Sequence, residues 1–340
     1  MHLPVALAAL IATAVTTIVV APPAGAAGDF DLQAHRGGRG ETTEESLRAF
    51  AKALELGVST LELDVVITRD GQPLVWHDPV IEPAKCTDTA PAFAGDPQYP
   101  YVGKLTHDLT LQQIRTLDCG RLLAEFPSAE MVSGNKIATL PEVFDLADAY
   151  HADVRFNIET KVEAQARDTS ASPQEFVDII LEVVRDSGKT ARVEIQSFDW
   201  RTLPLVGQAE PDVPLVALWD ETTYLPDSPW LAGVDPAVVP DPISGALLVG
   251  ADVVSPGYSV PVGLTPEEPG FRLVADRAFV DRAHGVGLKV VPWTINDPAA
   301  MHAQIDAGVD GIITDYPTRL RSVMAERGLP LPPAYRKPNG

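Results

Sequence analysis

The chain has 340 residues, 45% of them hydrophobic, and 47 Asp and Glu against 26 Lys and Arg give a net charge of −21. Its length suits one large barrel or two average domains, and its apolar share suffices for a sizeable core. A field of that sign excludes nucleic acid as a partner, although a small anion is admissible where local cations or a metal reverse it.

Residues 1–26 contain no Asp, Glu, Lys or Arg; Leu3 to Val20 is rich in Ala, Val, Leu and Ile, and Ala24-Gly25-Ala26 offers small residues at a cleavage spacing. The segment reads as a secretory signal peptide cut near Ala26, which implies a secreted or extracytoplasmic protein; an uncleaved anchor is the alternative. No later run is long enough to span a bilayer, so no stable membrane span is expected after cleavage.

Beyond the signal, short β-branched runs alternate with amphipathic patterns. Strands are expected at 31–35, 60–67, 154–159, 193–197, 215–219, 252–255, 289–293 and 311–314. Helices are expected at 44–56, 109–117, 140–150, 173–186, 200–209, 272–284 and 298–307. Residues 220–250, rich in Pro and Gly, are only doubtfully helical. Strands separated by helices imply parallel pairing through crossovers, and eight of them point to a single-domain (β/α)8 TIM barrel over residues 27–327. Residues 328–340 are expected to form a flexible C-terminal tail. The two cysteines, Cys86 and Cys119, are an even pair in an exported chain and are expected to be bridged, pinning an insertion between strands 2 and 3.

The chemistry gathers early. Ala34-His35-Arg36-Gly37 is followed by Thr43-Glu44-Glu45-Ser46, Leu61-Glu62-Leu63-Asp64-Val65 and Trp76-His77-Asp78. Glu62 and Asp64 sit at i, i+2 on an apolar strand, so both project to one face while Leu61, Leu63 and Val65 project to the other. Carboxylates forced side by side repel unless a cation lies between them. Glu159, in Asn157-Ile158-Glu159-Thr160-Lys161, is the expected third ligand. Three carboxylates make a hard oxygen site for one divalent cation, with Ca²⁺ favoured over Mg²⁺ outside the cytoplasm. An internal salt-bridge cluster of the two acids with Arg36 and Lys161 is the competing reading.

His35 and His77 flank the acids and can divide proton transfer between them, one as base and one as acid, in an order the sequence leaves open. Glu44 is expected to orient one of the two and is counted among the substrate- and phosphate-binding residues. Arg36 offers a planar fork for phosphate oxygens and Lys161 a second charge. Polar or aromatic residues recur at strand C-terminal ends, where this fold places its chemistry. Gln196, Phe198 and Trp293 at such ends are expected to contact substrate, with the two aromatics lining an alcohol pocket. His107, His151, His284 and His302 are assigned structural roles, with Asp108 as a helix N-cap.

These segments resemble the glycerophosphodiester phosphodiesterase family, exported bacterial type. The likeness extends to Thr68-Arg69-Asp70-Gly71, Leu140-Pro141-Glu142-Val143, Gln196-Ser197-Phe198, Val291-Pro292-Trp293-Thr294 and Asp310-Gly311-Ile312-Ile313-Thr314-Asp315-Tyr316-Pro317, across residues 31–320. One departure is Thr43-Glu44-Glu45-Ser46, where the family reads Pro-Glu-Asn-Thr. The resemblance implies a TIM barrel, a divalent cation on Glu62, Asp64 and Glu159, acid/base roles for His35 and His77, and Arg36 and Lys161 on the phosphate. The implied reaction is hydrolysis of a small-molecule glycerophosphodiester to glycerol 3-phosphate and an alcohol. Rival readings are a phospholipase D-like lyase acting on lysophospholipid or sphingolipid, an exo-hydrolase of glycerophosphate polymers such as teichoic acid, and a non-catalytic phosphate or carbohydrate binder.

Overall fold

The structure, a computed structural model, describes residues 30–338; the expected signal peptide lies outside the described residues. The strands are β1 (Asp31–Ala34), β2 (Thr60–Ile67), β3 (Pro73–Val75), β4 (Arg155–Thr160), β5 (Val193–Ser197), β6 (Leu215–Trp219), β7 (Val253–Pro256), β8 (Ser259–Val260), β9 (Arg272–Leu273), β10 (Lys289–Val290) and β11 (Gly311–Thr314). The helices are α1 (Leu47–Leu56), α2 (Leu111–Ile114), α3 (Leu140–Ala149), α4 (Pro173–Asp186), α5 (Thr202–Ala209), α6 (Pro242–Leu248), α7 (Arg277–Gly285), α8 (Pro298–Ala307) and α9 (Pro317–Glu326).

Eight strands run parallel in the order β10-β7-β6-β5-β4-β2-β1-β11. The remaining seam is stitched by the Asp310 N–H donating to Val290 O at 2.9 Å and the Ile313 N–H donating to Pro292 O at 3.1 Å. The ring is the expected (β/α)8 barrel, with β3 as a short antiparallel hairpin partner of β2.

Alternation along the strands divides the molecule in two. Leu61, Leu63, Phe156, Ile158 and Ile195 point outward and are almost completely buried under helix residues such as Phe50, Phe144, Phe176 and Ile180. Phe144 and Phe156 meet edge to face at 4.8 Å, and each such burial contributes about 1.5–3 kcal/mol. The lumen is split as well. Val216, Val253, Val291 and Ile313 form an apolar cluster on one side, whereas β1, β2, β4 and β5 line the other with Gln33, Glu62, Asp64, Asn157, Glu159 and Gln196, all buried. That polar half positions the site.

Several expectations are corrected. The seventh barrel strand pairs regularly over Lys289–Val290 only, because Pro292 has no N–H to extend the ladder. The expected helix at 109–117 shrinks to α2, and its N-cap is Thr110, whose side chain accepts the Gln113 N–H; Asp108 lies in a preceding 3₁₀ turn. Arg272–Leu273 pairs with Ser259–Val260, and α7 starts only after the Asp276 cap. The doubtful 220–250 stretch contains α6, capped by Asp241, and α9 closes the barrel without having been anticipated. The stretch expected as a flexible tail is tied down as far as Tyr335, whose N–H donates to Leu54 O at 2.9 Å and whose hydroxyl donates to Asp153 O at 3.0 Å. Gly57, at φ +91, leaves room for it: a Cβ there would stand 2.8 Å from Pro332 O.

Between β3 and α3 lies the insertion, bridged by Cys86 and Cys119 across 33 residues. It has its own small core, in which Trp76, Ile81, Tyr101, Leu109 and Leu117 are buried around the disulfide. Among the described residues no helix is long and apolar enough to cross a membrane.

Candidate active site

Strand β1 ends at Ala34 and turns sharply through His35–Gly37. Arg36 adopts φ 51 and Gly37 φ 76, conformations that cost a side chain about 1–2 kcal/mol. A Cβ on Gly37 would lie 2.9 Å from the Ala49 Cβ, so only glycine lets the turn sit on α1. The turn aims the Arg36 N–H at Glu62 Oε2, 2.8 Å away, and leaves His35 at the barrel mouth.

Register assembles the acids. Asp64 pairs with Glu159 across β2 and β4, and Glu62 lies one inward position below, opposite Asn157. Ligand oxygens of Glu62, Asp64 and Glu159 all lie within 4.8 Å of one another, and all three residues are buried. The competing salt-bridge reading is realised only in part. Arg36 Nε stands 2.8 Å from Asp64 Oδ2, and Lys161 Nζ 2.7 Å from Glu159 Oε1; among the described residues no Lys or Arg side chain pairs with Glu62. The Arg36–Asp64 approach is also misaligned, so Asp64 Oδ2 remains a buried atom without a hydrogen bond.

Electrostatics show the excess of anionic charge. Burial, then repulsion from Asp64, pushes Glu62 well above the usual carboxylate range. Glu159 is raised to about 7 by burial and by Asp64, against the pull of Lys161. Asp64 pays the same desolvation but is held well below the ordinary range by Arg36 and Lys161. Three convergent, buried, oxygen-only donors with more negative charge than their neighbours neutralise fit a hard divalent cation.

Each histidine is anchored through Nδ1. His35 Nδ1 lies 2.5 Å from Asp315 Oδ1, and Asp315 Oδ2 accepts the Asn296 amide at 2.7 Å. His77 Nδ1 lies 2.8 Å from Asp78 Oδ1, while Asp78 Oδ2 pairs with Lys85 Nζ. Among the described residues Nε2 of neither ring has a hydrogen-bond partner. Burial lowers His35 despite the attraction of Asp315; burial, with Lys161 and Arg36 repelling the proton, lowers His77 to about 3.

Glu44 orients neither histidine, contrary to expectation. It lies 2.7 Å from Arg39 Nε, 2.5 Å from Lys85 Nζ and 3.5 Å from Arg36 Nη1, so it holds cations instead of imidazoles. Burial opposes its charge, but Arg36, Lys85 and Arg39 together lower it. It is absent from the cavity wall that His35 and His77 share and reaches that cavity through Arg36 and Arg39. Glu45, the departure from the family pattern, sits at φ 54, a region Asn tolerates more readily. Its carboxylate accepts the Asp64 N–H at 3.1 Å, which fixes the loop against β2.

The remaining expected residues converge. A cavity of about 220 Å³ is walled by His35, Arg36, His77, Lys161, Phe198 and Trp293, with Glu62, Glu159 and Gln196 also exposed to it. Phe198 and Trp293 pack edge to face at 5.2 Å, and the Trp293 indole N–H donates to Ser255 O at 2.9 Å. Gln196 lines the cavity and is also held from within: its amide donates to Glu62 Oε1 at 2.7 Å and accepts from Asn157 at 3.0 Å. Asn157 donates equally to Gln33 at 2.8 Å, and Gln33 donates to Asp31 and Glu194, each at 2.9 Å. A column of amides thus runs down the polar half of the lumen from the acidic triad. Sequence reasoning gave no role to Asp315, Asp78, Arg39, Lys85 or Asn157. Asp78 and Asp315 carried a signal, adjacent to His77 and at the end of the eighth strand; Lys85 carried none.

Fold and site together define the class, a (β/α)8 phosphoric diester hydrolase. Residues 35–319 match the model of the glycerophosphoryl diester phosphodiesterase family, and the chain belongs to that family. It is 27% identical over 295 residues to a glycerophosphodiester phosphodiesterase of Caldanaerobacter subterraneus subsp. tengcongensis, covering 87% of this chain and 98% of that protein. The crystal structure of a Silicibacter pomeroyi protein described as a "putative glycerophosphoryl diester phosphodiesterase" superposes with a TM-score of 0.72 at 28% identity, over 88% of this chain and 95% of that one. The fold is also that of an Oleispira antarctica phosphodiesterase solved with its product sn-glycerol-3-phosphate, with a TM-score of 0.62, 19% identity, and coverage of 87% and 97%.

Proposed function

We propose that the protein hydrolyses small glycerophosphodiesters to glycerol 3-phosphate and an alcohol, using two histidines and a divalent cation held by Glu62, Asp64 and Glu159. The observation that carries this reading is the pairing of two imidazoles with an acidic triad in one cavity, each ring fixed through Nδ1 by its own carboxylate. One Nε2 takes the proton from the attacking water as its oxygen bonds to phosphorus; where a glycerol hydroxyl attacks first, water opens the resulting cyclic phosphate in a second step. The other ring enters the cycle as its imidazolium and gives its Nε2 proton to the departing alcohol as the P–O bond breaks; the proton taken by the first ring returns to the second through solvent, so the two protons balance over the cycle. The cation, when bound, supplies Lewis-acid neutralisation of the phosphoryl charge. Arg36 and Lys161 add fixed positive charge at the same wall. Phe198, Trp293 and Leu218 give the apolar half of the cavity a surface for the carbon skeleton of the glycerol arm.

Ca²⁺ is the proposed ion, because all three ligands are hard oxygens and the Cys86–Cys119 bridge supports an oxidising, extracytoplasmic setting where that ion is abundant. Export itself is proposed on the same bridge and on the apolar segment 1–26.

The test is release of glycerol 3-phosphate from glycerophosphocholine. We expect activity that EDTA abolishes and Ca²⁺ restores better than Mg²⁺, and losses of at least about 10³-fold in H35N and H77N, as expected for acid/base groups backed by positioning. Full turnover in EDTA would refute the metal role. Faster turnover of lysophosphatidylcholine than of glycerophosphocholine would favour the lysolipid reading.

A further inference from the structure

We infer that Lys85, carried on the disulfide-pinned insertion, is a positioning residue for the His77–Asp78 pair, so that the insertion forms part of the proton-transfer apparatus. The inference rests on the proton-transfer role proposed for His77. His77 and Asp78 follow β3 in irregular chain and have no strand or helix to hold them. Asp78 divides its two oxygens, Oδ1 to the His77 ring and Oδ2 to Lys85 Nζ. Its second oxygen is thus secured by an ammonium that arrives from outside the barrel.

Lys85 is built to stay there. Its side chain is 10% exposed, its Nζ also lies 2.5 Å from Glu44 Oε1, and the ammonium sits 4.8 Å from the Trp76 ring centroid. Its backbone is clamped from both directions, since the Lys85 N–H donates to Glu82 O at 3.0 Å and Lys85 O accepts the Arg121 N–H at 3.3 Å. The next residue, Cys86, is bridged to Cys119. A buried lysine shared by two carboxylates is held by charge on both sides, and removing it leaves each without that partner. Glu44 keeps Arg36 and Arg39. Asp78 keeps only His77, so its carboxylate becomes free to rotate and the imidazole loses the fixed acceptor that defines its tautomer.

Glycerophosphocholine turnover in K85M, D78N and the K85M/D78N double variant tests this, with H77N as the control for the underlying reading and K85Q as a less apolar replacement should K85M fail to fold. We expect K85M to lower kcat about 10- to 100-fold, the usual range for a group acting through a catalytic one, with KM within about 3-fold of wild type. The double variant should be no slower than D78N alone, because Lys85 acts through Asp78. A kcat within about 2-fold of wild type in a folded K85M or K85Q protein, or losses that multiply in the double variant, would overturn the inference. If H77N keeps wild-type kcat, the role of His77 itself fails; if H77N is inactive and K85M is not, only the role of Lys85 fails.

Discussion

His35 Nδ1 and Asp315 Oδ1 stand 2.5 Å apart across 280 residues of chain, joining the end of the first barrel strand to the residue that follows the last. Closure of the ring is therefore what completes this histidine. Asp315 in turn takes the Asn296 amide on its other oxygen. Replacing it with Asn keeps the shape but offers the ring an amide that can donate where an acceptor is needed. D315N should lower kcat by roughly 10²–10⁴-fold with little change in KM, as when the carboxylate behind a catalytic histidine is neutralised. Steady-state kinetics on glycerophosphocholine check this; a wild-type kcat would mean that His35 needs no acceptor on Nδ1.

The amide column makes a second demand. Gln196 can hold Glu62 in place only while Asn157 and Gln33 hold the amides below. An N157L variant keeps the volume and removes the donor, leaving Gln196 Oε1 and Gln33 Oε1 each without that partner. Ca²⁺ affinity, measured by calorimetry, should fall about 10- to 100-fold, the usual cost of losing an outer partner of a ligand. Unchanged affinity would make the column a packing feature of the lumen and nothing more.

How much of this was legible beforehand follows from where periodicity operates. Thr60–Ile67 was read to the residue because Leu61, Leu63 and Val65 alternate with Glu62 and Asp64, and the same alternation placed both acids on one face. Gln196, Phe198 and Trp293 share one cavity wall because strand ends in a barrel converge. Glu44 was misread because adjacency in sequence stood in for adjacency in space; the loop carries it to Arg39 and Lys85 instead. The insertion resisted reading for another reason. Its core forms around a disulfide and a few turns, and no 2.0 or 3.6 period announces which of its residues will point at the site.

That insertion is stapled where it most needs restraint. Between Cys86 and Cys119 the only helical segments are the short turn Thr106–Asp108 and Leu111–Ile114, so the unbridged chain gains much conformational freedom on unfolding. With 33 residues between the cysteines, a C86S/C119S variant should lose about 3–4 kcal/mol in the chain-entropy model. On the average unfolding entropy per residue this corresponds to roughly 5 °C in Tm for a domain near 300 residues. Differential scanning calorimetry of the double variant, beside wild type under reducing and oxidising conditions, decides it.

At the opposite end of the barrel, Glu194 accepts the Gln33 amide at 2.9 Å close to Asp31. Burial, then repulsion from Asp31, raises its pKa from 4.5 to about 7, against the pull of Arg155. The folded state therefore binds this proton more tightly than the unfolded chain does. Its contribution to stability is complete below about pH 4.5 and is lost as pH rises through about 7. An E194Q variant cannot ionise, yet its carbonyl still accepts from Gln33. It should match wild type near pH 4.5 and exceed it by about 1–3 kcal/mol at pH 8, at 1.36 kcal/mol per pKa unit over a shift of this size. Urea denaturation of both proteins at the two pH values measures the difference. Equal stability at pH 8 would show that Arg155 and Lys289 compensate the Glu194 charge in full.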